Sequence, residues 1–313
     1  MRLVTFETAT NGERLGAQVG DHIIGLALGS EAYQTATGDK ISVFSSDMMT
    51  FLDQGGAAIS AARKVIEWVS RQMEKTGRVT TVSGDPVFYN LDQVRLRAPV
   101  PRPPKILCLA LNYRAHAAEG KIVMPEKPYV FIKPGIWPVM GPNDKVIRPT
   151  KSQNFLYEGE LAVVIGKRCR HVSSERAYEV IAGYTVVNDI SARDLGKTNI
   201  PGLVDWFRAK AFDTSLPMGP CLTLKDEIDD PHNLRLTVRV NGQTVQDAST
   251  SEMAFWIPEL IEFISEFITL DAGDIIATGT PGGSTTALKA GDRVEVEITK
   301  IGVLTSIIVD EDR

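Results

Sequence analysis

The chain has 313 residues, 43% of them hydrophobic and 23% charged, with a formal net charge of −5. That is the composition of a folded protein with a sizeable core, built as one large domain or as a large domain with a small one. No basic block is present, which argues against nucleic acid as a partner, and no stretch approaches the ~18–20 apolar residues of a membrane span.

The N-terminal stretch "RLVTF" alternates as a strand does, "NGERLGAQVG" carries an Asn-Gly hairpin signal, and "HIIGLA" is a second apolar run. The start of the chain lacks the apolar core of a signal peptide, so a cytoplasmic protein is expected. Residues 57–75 then follow a helical period, with Ile59, Ala62, Val65, Ile66, Val69 and Met73 on one stripe. These segments predict a small α+β domain over residues 1–96. "RAPVPRPPK" packs four prolines into residues 97–105, a stiff boundary, and residues 97–313 form the second predicted domain.

Beyond the boundary most segments read as strands: "KILCLAL", "YVFIKP", "GELAVVIGK", "AGYTVVND", "LRLTVRVNGQTV", "DIIATGT" and "DRVEVEITKIGVLTSIIV". Helical patches are few. "SERAYEVIA" starts near an N-cap at Ser173 or Ser174, and "PELIEFISEF" places Pro258 in the first turn and Leu260, Ile261, Ile264 and Phe267 on one face. The phrase L-x-A-G-D occurs at 270–274 and again at 288–292, each time as a turn before a strand. Many strands and few crossover helices predict an α+β, β-rich fold with mixed or mostly antiparallel sheets. Neither GxGxxG after a strand nor GxxxxGK[ST] occurs, so nucleotide binding gains no support. Cys108, Cys169 and Cys221 are widely spaced and odd in number, which reads as three reduced thiols rather than a disulfide framework or a metal finger.

The chemistry concentrates in a few places. In "YEGELAVVIGK" Glu158 and Glu160 point to the same face of a strand, about 6.5 to 7 Å apart along it, at the head of an apolar run. Two carboxylates placed so repel each other and lose hydration, and a hard divalent cation removes both problems. Asp189 ends the strand "GYTVVND" and offers a third oxygen ligand, a set suited to Mg²⁺ or Mn²⁺; an exposed strand face and a turn are the plainer alternatives. In "LNYRAHAAEG" a short helix would put His116 and Glu119 on one face, where the glutamate would orient the ring and favour its protonated form. Lys210, between two alanines in an apolar stretch, needs an anionic partner, as does Lys133 at the end of "YVFIK"; Arg193 follows Asp189 by four positions. Surface positions are the plain alternative for all of these cations.

Taken in order, "LNYRAHAAE", "FIKP", "YEGELAVVIGK", "GYTVVNDISARD", "AKAFDTSLPMGP", "RVNG" and "DIIATGTPGG" resemble the fumarylacetoacetate hydrolase family over roughly residues 98–310. The resemblance implies a mixed β-roll preceded by a small variable domain, a homodimer, and Mg²⁺ or Mn²⁺ on Glu158, Glu160 and Asp189. It implies a catalytic dyad of His116 and Glu119, a place for Lys210 beside the substrate, and substrate contacts from Lys133, Arg193 and Thr280. The expected substrate is a small anionic 2-oxo acid, and the expected reaction is hydrolysis of a C–C bond in a 2,4-dioxo acid of the acylpyruvate or fumarylpyruvate type. Oxaloacetate decarboxylation, isomerisation of a 2-hydroxydienedioate, and a metal-binding dimeric scaffold without turnover are the alternatives. The pattern departs at Gly196, where decarboxylating members often carry glutamine, at the short stretch 279–292, and at Leu156, where an aspartate is frequent.

Overall fold

A computed structural model describes residues 1–9, 11–41, 44, 47–200 and 202–312 of the chain. It opens with β1 (Arg2–Thr8), β2 (Asn11–Val19) and β3 (His22–Gly25), then α1 (Leu26–Thr37), α2 (Met48–Thr76), β4 (Phe88–Asn90) and β5 (Arg95–Leu96). The middle of the chain holds β6 (Ile106–Ala110), α3 (Arg114–Glu119), β7 (Tyr129–Lys133), β8 (Val139–Met140), β9 (Lys145–Arg148), β10 (Phe155–Leu156) and β11 (Gly159–Ile165). There follow α4 (Ala177–Val180), β12 (Ile181–Asn188), β13 (Ser191–Ala192), α5 (Trp206–Lys210) and β14 (Leu216–Leu224). The chain ends with β15 (Arg235–Val240), β16 (Gln243–Ser249), α6 (Ile257–Phe267), β17 (Ile275–Ala277), β18 (Arg293–Ile298) and β19 (Gly302–Asp310).

One large sheet runs in the order β4-β3-β2-β1-β14-β12-β11-β17-β6-β7, with β5 on β1 and β8 on β14. A second sheet runs β16-β15-β18-β19-β9, and β10 pairs with β13. The mixed, strand-rich α+β architecture is the one the sequence predicts. The N-terminal strands continue the large sheet, because β1 pairs with β14 through Arg2↔Thr223 and Leu3↔Leu222.

β11 shows why its sequence is apolar on both faces. Leu161 and Val163 pack into the core between the two sheets with Leu236, Val238 and Val296, while Ala162 and Val164 belong to the core that includes Val65 and Val69 of α2. Gly159 packs directly against the second sheet: a Cβ there would lie 2.5 Å from Val238 Cγ2 and 2.9 Å from Val296 Cγ1. Glycine is therefore required between the two glutamates.

The two L-x-A-G-D turns are built alike. Gly273 and Gly291 have φ of +83° and +91°, and the following Asp274 and Asp292 each accept a backbone N–H from three residues back, at 2.6 and 2.7 Å. Both lead into strands, as read.

Other readings are corrected. Asn11 already pairs with Thr8, so the first reversal precedes the Asn-Gly pair. The run "HIIGLA" is a strand only to Gly25, and Leu26 starts a helix whose buried face is Leu26, Gly29, Ser30 and Ala32. The helix expected at 57–75 begins at Met48, capped by Asp47 accepting from Thr50 N–H at 3.0 Å, and kinks at Gly55, where φ is 61° and ψ −142°. The segment at 174–180 is a 3₁₀ turn followed by a single α turn, and Ser173 makes no side-chain cap there. Phe267 lies at the exposed end of α6. β14 lies in the middle of the large sheet although Pro217 and Pro220 argue against a central strand; its pairing with β12 is broken between Tyr184↔Thr223 and Val186↔Gly219, which takes up the missing proline donor. No helix among the described residues is long and apolar enough to cross a membrane.

Candidate active site and metal centre

The pairing of β11 with β12 assembles the carboxylates. Gly159 opposes Asn188, the Glu158 N–H donates to Asn188 Oδ1 at 2.9 Å, and the Asp189 N–H donates to the Glu158 carbonyl at 2.8 Å. The residue after the end of β12 is thereby locked beside the residue before the start of β11. Glu158, Glu160 and Asp189 are all buried, and one ligand oxygen from each lies within 4.8 Å of the others. This burial excludes the exposed-face reading of the two glutamates, whereas Asp189 lies just past the end of β12, where the Ile190 N–H donates to the Asn188 carbonyl at 2.9 Å, a tight reversal that is itself buried.

Two lysines meet the cluster. Lys210, at the end of α5, places Nζ 2.5 Å from Glu158 Oε2, 2.8 Å from Asp189 Oδ2 and 3.1 Å from the Asp189 carbonyl. Lys133, at the end of β7, is fully buried with Nζ 2.6 Å from Asp189 Oδ1 and donates to the Ser215 carbonyl at 2.8 Å and hydroxyl at 3.1 Å. Its ammonium is thus engaged by Asp189 and Ser215. Arg193, half-exposed, stands 3.6 Å from Glu158 Oε1.

The protonation balance is uneven. Burial pushes the Asp189 carboxyl up, but Lys133 and Lys210 outweigh it and hold the group below its ordinary value. Burial works against the Lys210 ammonium too, and Asp189 and Glu158 overcome it and raise its pKa. Glu160 has no such partner among the described residues: burial, then the charges of Asp189 and Glu158, push its carboxyl well above the ordinary range, against the weaker help of Lys210 and the Gly279 N–H. That N–H donates to Glu160 Oε2 at 2.8 Å. A cluster of three buried oxygen donors with one uncompensated carboxylate fits a hard divalent cation. Cys108, buried nearby, is held as a neutral thiol chiefly by burial and does not alter the all-oxygen donor set.

The second half of the site is α3 with residues 278–284. Asn112 fastens them together: its Nδ2 donates to the Thr278 carbonyl at 2.8 Å and the Phe255 carbonyl at 3.1 Å, and its Oδ1 accepts from Phe255 N–H at 2.8 Å. α3 forms as predicted, with Glu119 exposed. Burial lowers the pKa of His116 despite the charge of Glu158, which favours the neutral ring, and its Nδ1 is buried with no hydrogen-bond partner. Glu119 does not hold that ring; it accepts the Gly283 N–H at 2.9 Å. Thr280 is buried and its hydroxyl accepts from Gln246 Nε2 at 3.1 Å.

The fumarylacetoacetate (FAA) hydrolase C-terminal family matches residues 105–309. The chain belongs to that family. It is 40% identical to the oxaloacetate tautomerase YisK of Bacillus subtilis (strain 168) over 86% of this chain and 88% of the relative. Among solved structures it resembles the maleylpyruvate hydrolase of Sphingobium sp. SYK-6 in complex with manganese (II) ion and pyruvate, with TM-score 0.70 and 31% identity over all of both chains. It also resembles the 2-hydroxyhepta-2,4-diene-1,7-dioate isomerase of Mycobacterium marinum, with TM-score 0.72 and 29% identity over all of both chains. These relatives of the family are enzymes of small organic acids.

Sequence reasoning missed Asn112, Ser215 and Gln246, which hold the site together. Each is a polar residue in a run otherwise read as strand or loop, and nothing in the spacing marks it. Gly196, read as a departure in substrate handling, has a packing cause: a Cβ there would lie 2.7 Å from Ala209 Cβ, the residue before Lys210.

Proposed function

We propose that this family member is a divalent-metal-dependent keto–enol tautomerase of a small 2-oxo diacid such as oxaloacetate. The observation that carries this reading is that His116 Nδ1 has no hydrogen-bond partner while Glu119 is bound to Gly283. A single free base is sufficient to move one proton between carbon and oxygen, whereas hydrolysis needs a base organised together with a water. The name of the Bacillus subtilis relative points the same way.

Mg²⁺ or Mn²⁺ held by Glu158, Glu160 and Asp189 supplies Lewis acidity to the oxygens of the 2-oxo acid. His116 takes the proton from C3; the C–H electron pair becomes the C2=C3 bond, the carbonyl electrons move onto the C2 oxygen, and the proton carried by His116 is delivered to that oxygen, giving the enol and restoring the free base. Lys210 keeps an ammonium against the cluster where that negative charge builds, and Lys133 fixes Asp189 from below. Arg193 and Thr280 are the side chains assigned to the substrate carboxylates. The homodimer and the cytoplasmic location stay part of the proposal.

Hydrolysis of a 2,4-dioxo acid is the second reading, favoured by the placing of Glu119 three residues from His116 on α3 and by the maleylpyruvate hydrolase neighbour. It requires Glu119 to leave Gly283 for the imidazole. The deciding experiment follows oxaloacetate and an acylpyruvate with Mn²⁺, reading enol absorbance, CO₂ and carboxylic acid together. Faster keto–enol equilibration without CO₂ is expected. Acid release from the acylpyruvate with no acceleration of equilibration makes it a hydrolase, CO₂ from oxaloacetate a decarboxylase, and metal binding with none of the three a scaffold.

A further inference from the structure

Gln246 is the buried side chain of β16 that touches both halves of the site. Its Oε1 accepts the N–H of Gly159, the residue between Glu158 and Glu160, at 3.3 Å. Its Nε2 donates to Thr280 Oγ1 at 3.1 Å, to the Pro281 carbonyl at 2.8 Å and to the Gly282 carbonyl at 3.1 Å. The amide orientation follows from those partners, since the reverse would set an oxygen against two carbonyls and leave Gly159 N–H facing an NH₂ group. Tyr157 reinforces the same turn, its hydroxyl donating to the Gly283 carbonyl at 3.0 Å.

The consequence for Thr280 is chemical. A hydroxyl that accepts from Gln246 has its own proton left to donate, and an anionic oxygen is the partner that strengthens such a donor. The turn bearing Thr280 continues into Gly283, whose N–H holds Glu119. One amide thus sets the distance between the carboxylate strand, the threonine and the tip of α3.

We propose that Gln246 is a positioning residue of the active site, which ties Gly159 to the Thr280–Gly282 turn and so holds the Thr280 hydroxyl as a donor toward the carboxylate of a 2-oxo acid. The inference rests on the reading that such an acid binds at the carboxylate cluster.

The test uses the full chain with Mn²⁺ and oxalate, a stable dianion with the oxygen pattern of a 2-oxo acid, titrated calorimetrically into wild type, Thr280→Val, Gln246→Met and the double variant. Oxalate binds wild type, and each single variant weakens it about 10- to 100-fold, the scale of a lost hydrogen bond to a charged group. The double variant is no weaker than either single one, and Mn²⁺ affinity measured alone stays within about twofold throughout. Losses that add in the double variant, or wild-type oxalate affinity in Gln246→Met when Thr280→Val is weakened, overturn the inference while leaving the site reading intact. Failure of wild type to bind oxalate removes the site reading and the inference with it. If Gln246→Met does not fold, Gln246→Glu takes its place: it keeps the acceptor for Gly159 and loses the donors, so the same loss is expected and an unchanged affinity is again fatal.

Discussion

The carboxylate cluster and the α3 arm, which share the proposed reaction, have opposite construction. Glu158, Glu160 and Asp189 are at most 8% exposed, and backbone bonds between β11 and β12 and two buried ammonium groups fix them. α3 is a six-residue helix; His116 has an unpaired nitrogen, and Glu119 is tied to Gly283 by one bond at the surface. Charge that must meet a cation is held rigidly, because displaced buried charges are costly. A proton carrier needs room to approach and leave, and elements that move are drawn from those with few buried ties.

The largest effects should fall on the rigid half, and they should split by charge. Asp189→Asn takes the carboxylate from buried Lys133 and one of two carboxylates from Lys210, which keeps Glu158, and should cost about 3 to 5 kcal/mol in denaturant unfolding, along with metal binding. Glu160→Gln removes the carboxylate that no cation compensates, so the metal-free protein should melt higher than wild type while Mn²⁺ affinity falls by at least about 100-fold. Electron paramagnetic titration of Mn²⁺ beside thermal melting reads both. A metal-free Glu160→Gln that melts lower would mean Glu160 is already satisfied and the cluster needs no ion.

The α3 half should behave in the opposite way. His116→Ala should lower kcat about 10²- to 10⁴-fold with melting temperature and Mn²⁺ affinity almost unmoved. Full activity in that variant removes the assigned base. Loss of Mn²⁺ binding would show that α3 belongs to the rigid half after all.

How much of this division was legible in the sequence depends on what holds each residue. Glu158 and Glu160 stood out because strand period alone puts them on one face beside an apolar run, and the strand-rich α+β class followed from the same alternation. Asp189 could be placed only as a candidate, since the Gly159↔Asn188 register that brings it there is a pairing between distant segments. Lys133 was read correctly as needing an anion, but which anion could not be read locally, since β11, β17 and β6 lie between β7 and β12 in the sheet and only the side chains meet. The dyad of His116 and Glu119 was read from helical spacing, which is right about their shared helix and silent about Gly283, 164 residues from Glu119. β14 escaped because its prolines contradict a central strand locally, and a break in pairing accommodates them only in three dimensions.

pH separates the two halves further. A base must be unprotonated to act, so kcat/KM should fall as pH drops through the His116 pKa. Burial lowers that pKa, so the acid limb should begin below the ~6.5 of a free histidine. The charge of Glu119 opposes the shift, so Glu119→Gln should move the limb slightly lower still while keeping an acceptor for Gly283. A limb above ~6.5 would mean that Glu119 dominates the ring and that the hydrolytic dyad is assembled in solution.

The smallest effect comes from a histidine outside both halves and serves as their control. His232 is buried, stacks on Trp256 at 4.5 Å, and its Nε2 accepts the Ile257 N–H at 3.1 Å, capping the start of α6. Burial lowers its pKa, with Asp230 and Glu259 opposing less strongly. In the unfolded chain the ring titrates near ~6.5, so above that pH both states are neutral and the bond contributes fully. As pH falls below ~6.5 the unfolded state takes up the proton first, and stability declines until the folded pKa is passed. The contribution should be about 0.5 to 2 kcal/mol, the range of a helix cap, and His232→Asn should flatten the decline measured by urea unfolding between pH 7 and pH 5. Its kcat/KM profile should keep the wild-type acid limb, because that limb belongs to His116. If His232→Asn moves the limb instead, the histidine governing activity has been misassigned, and the contrast between a fixed charge cluster and a free base loses its second member.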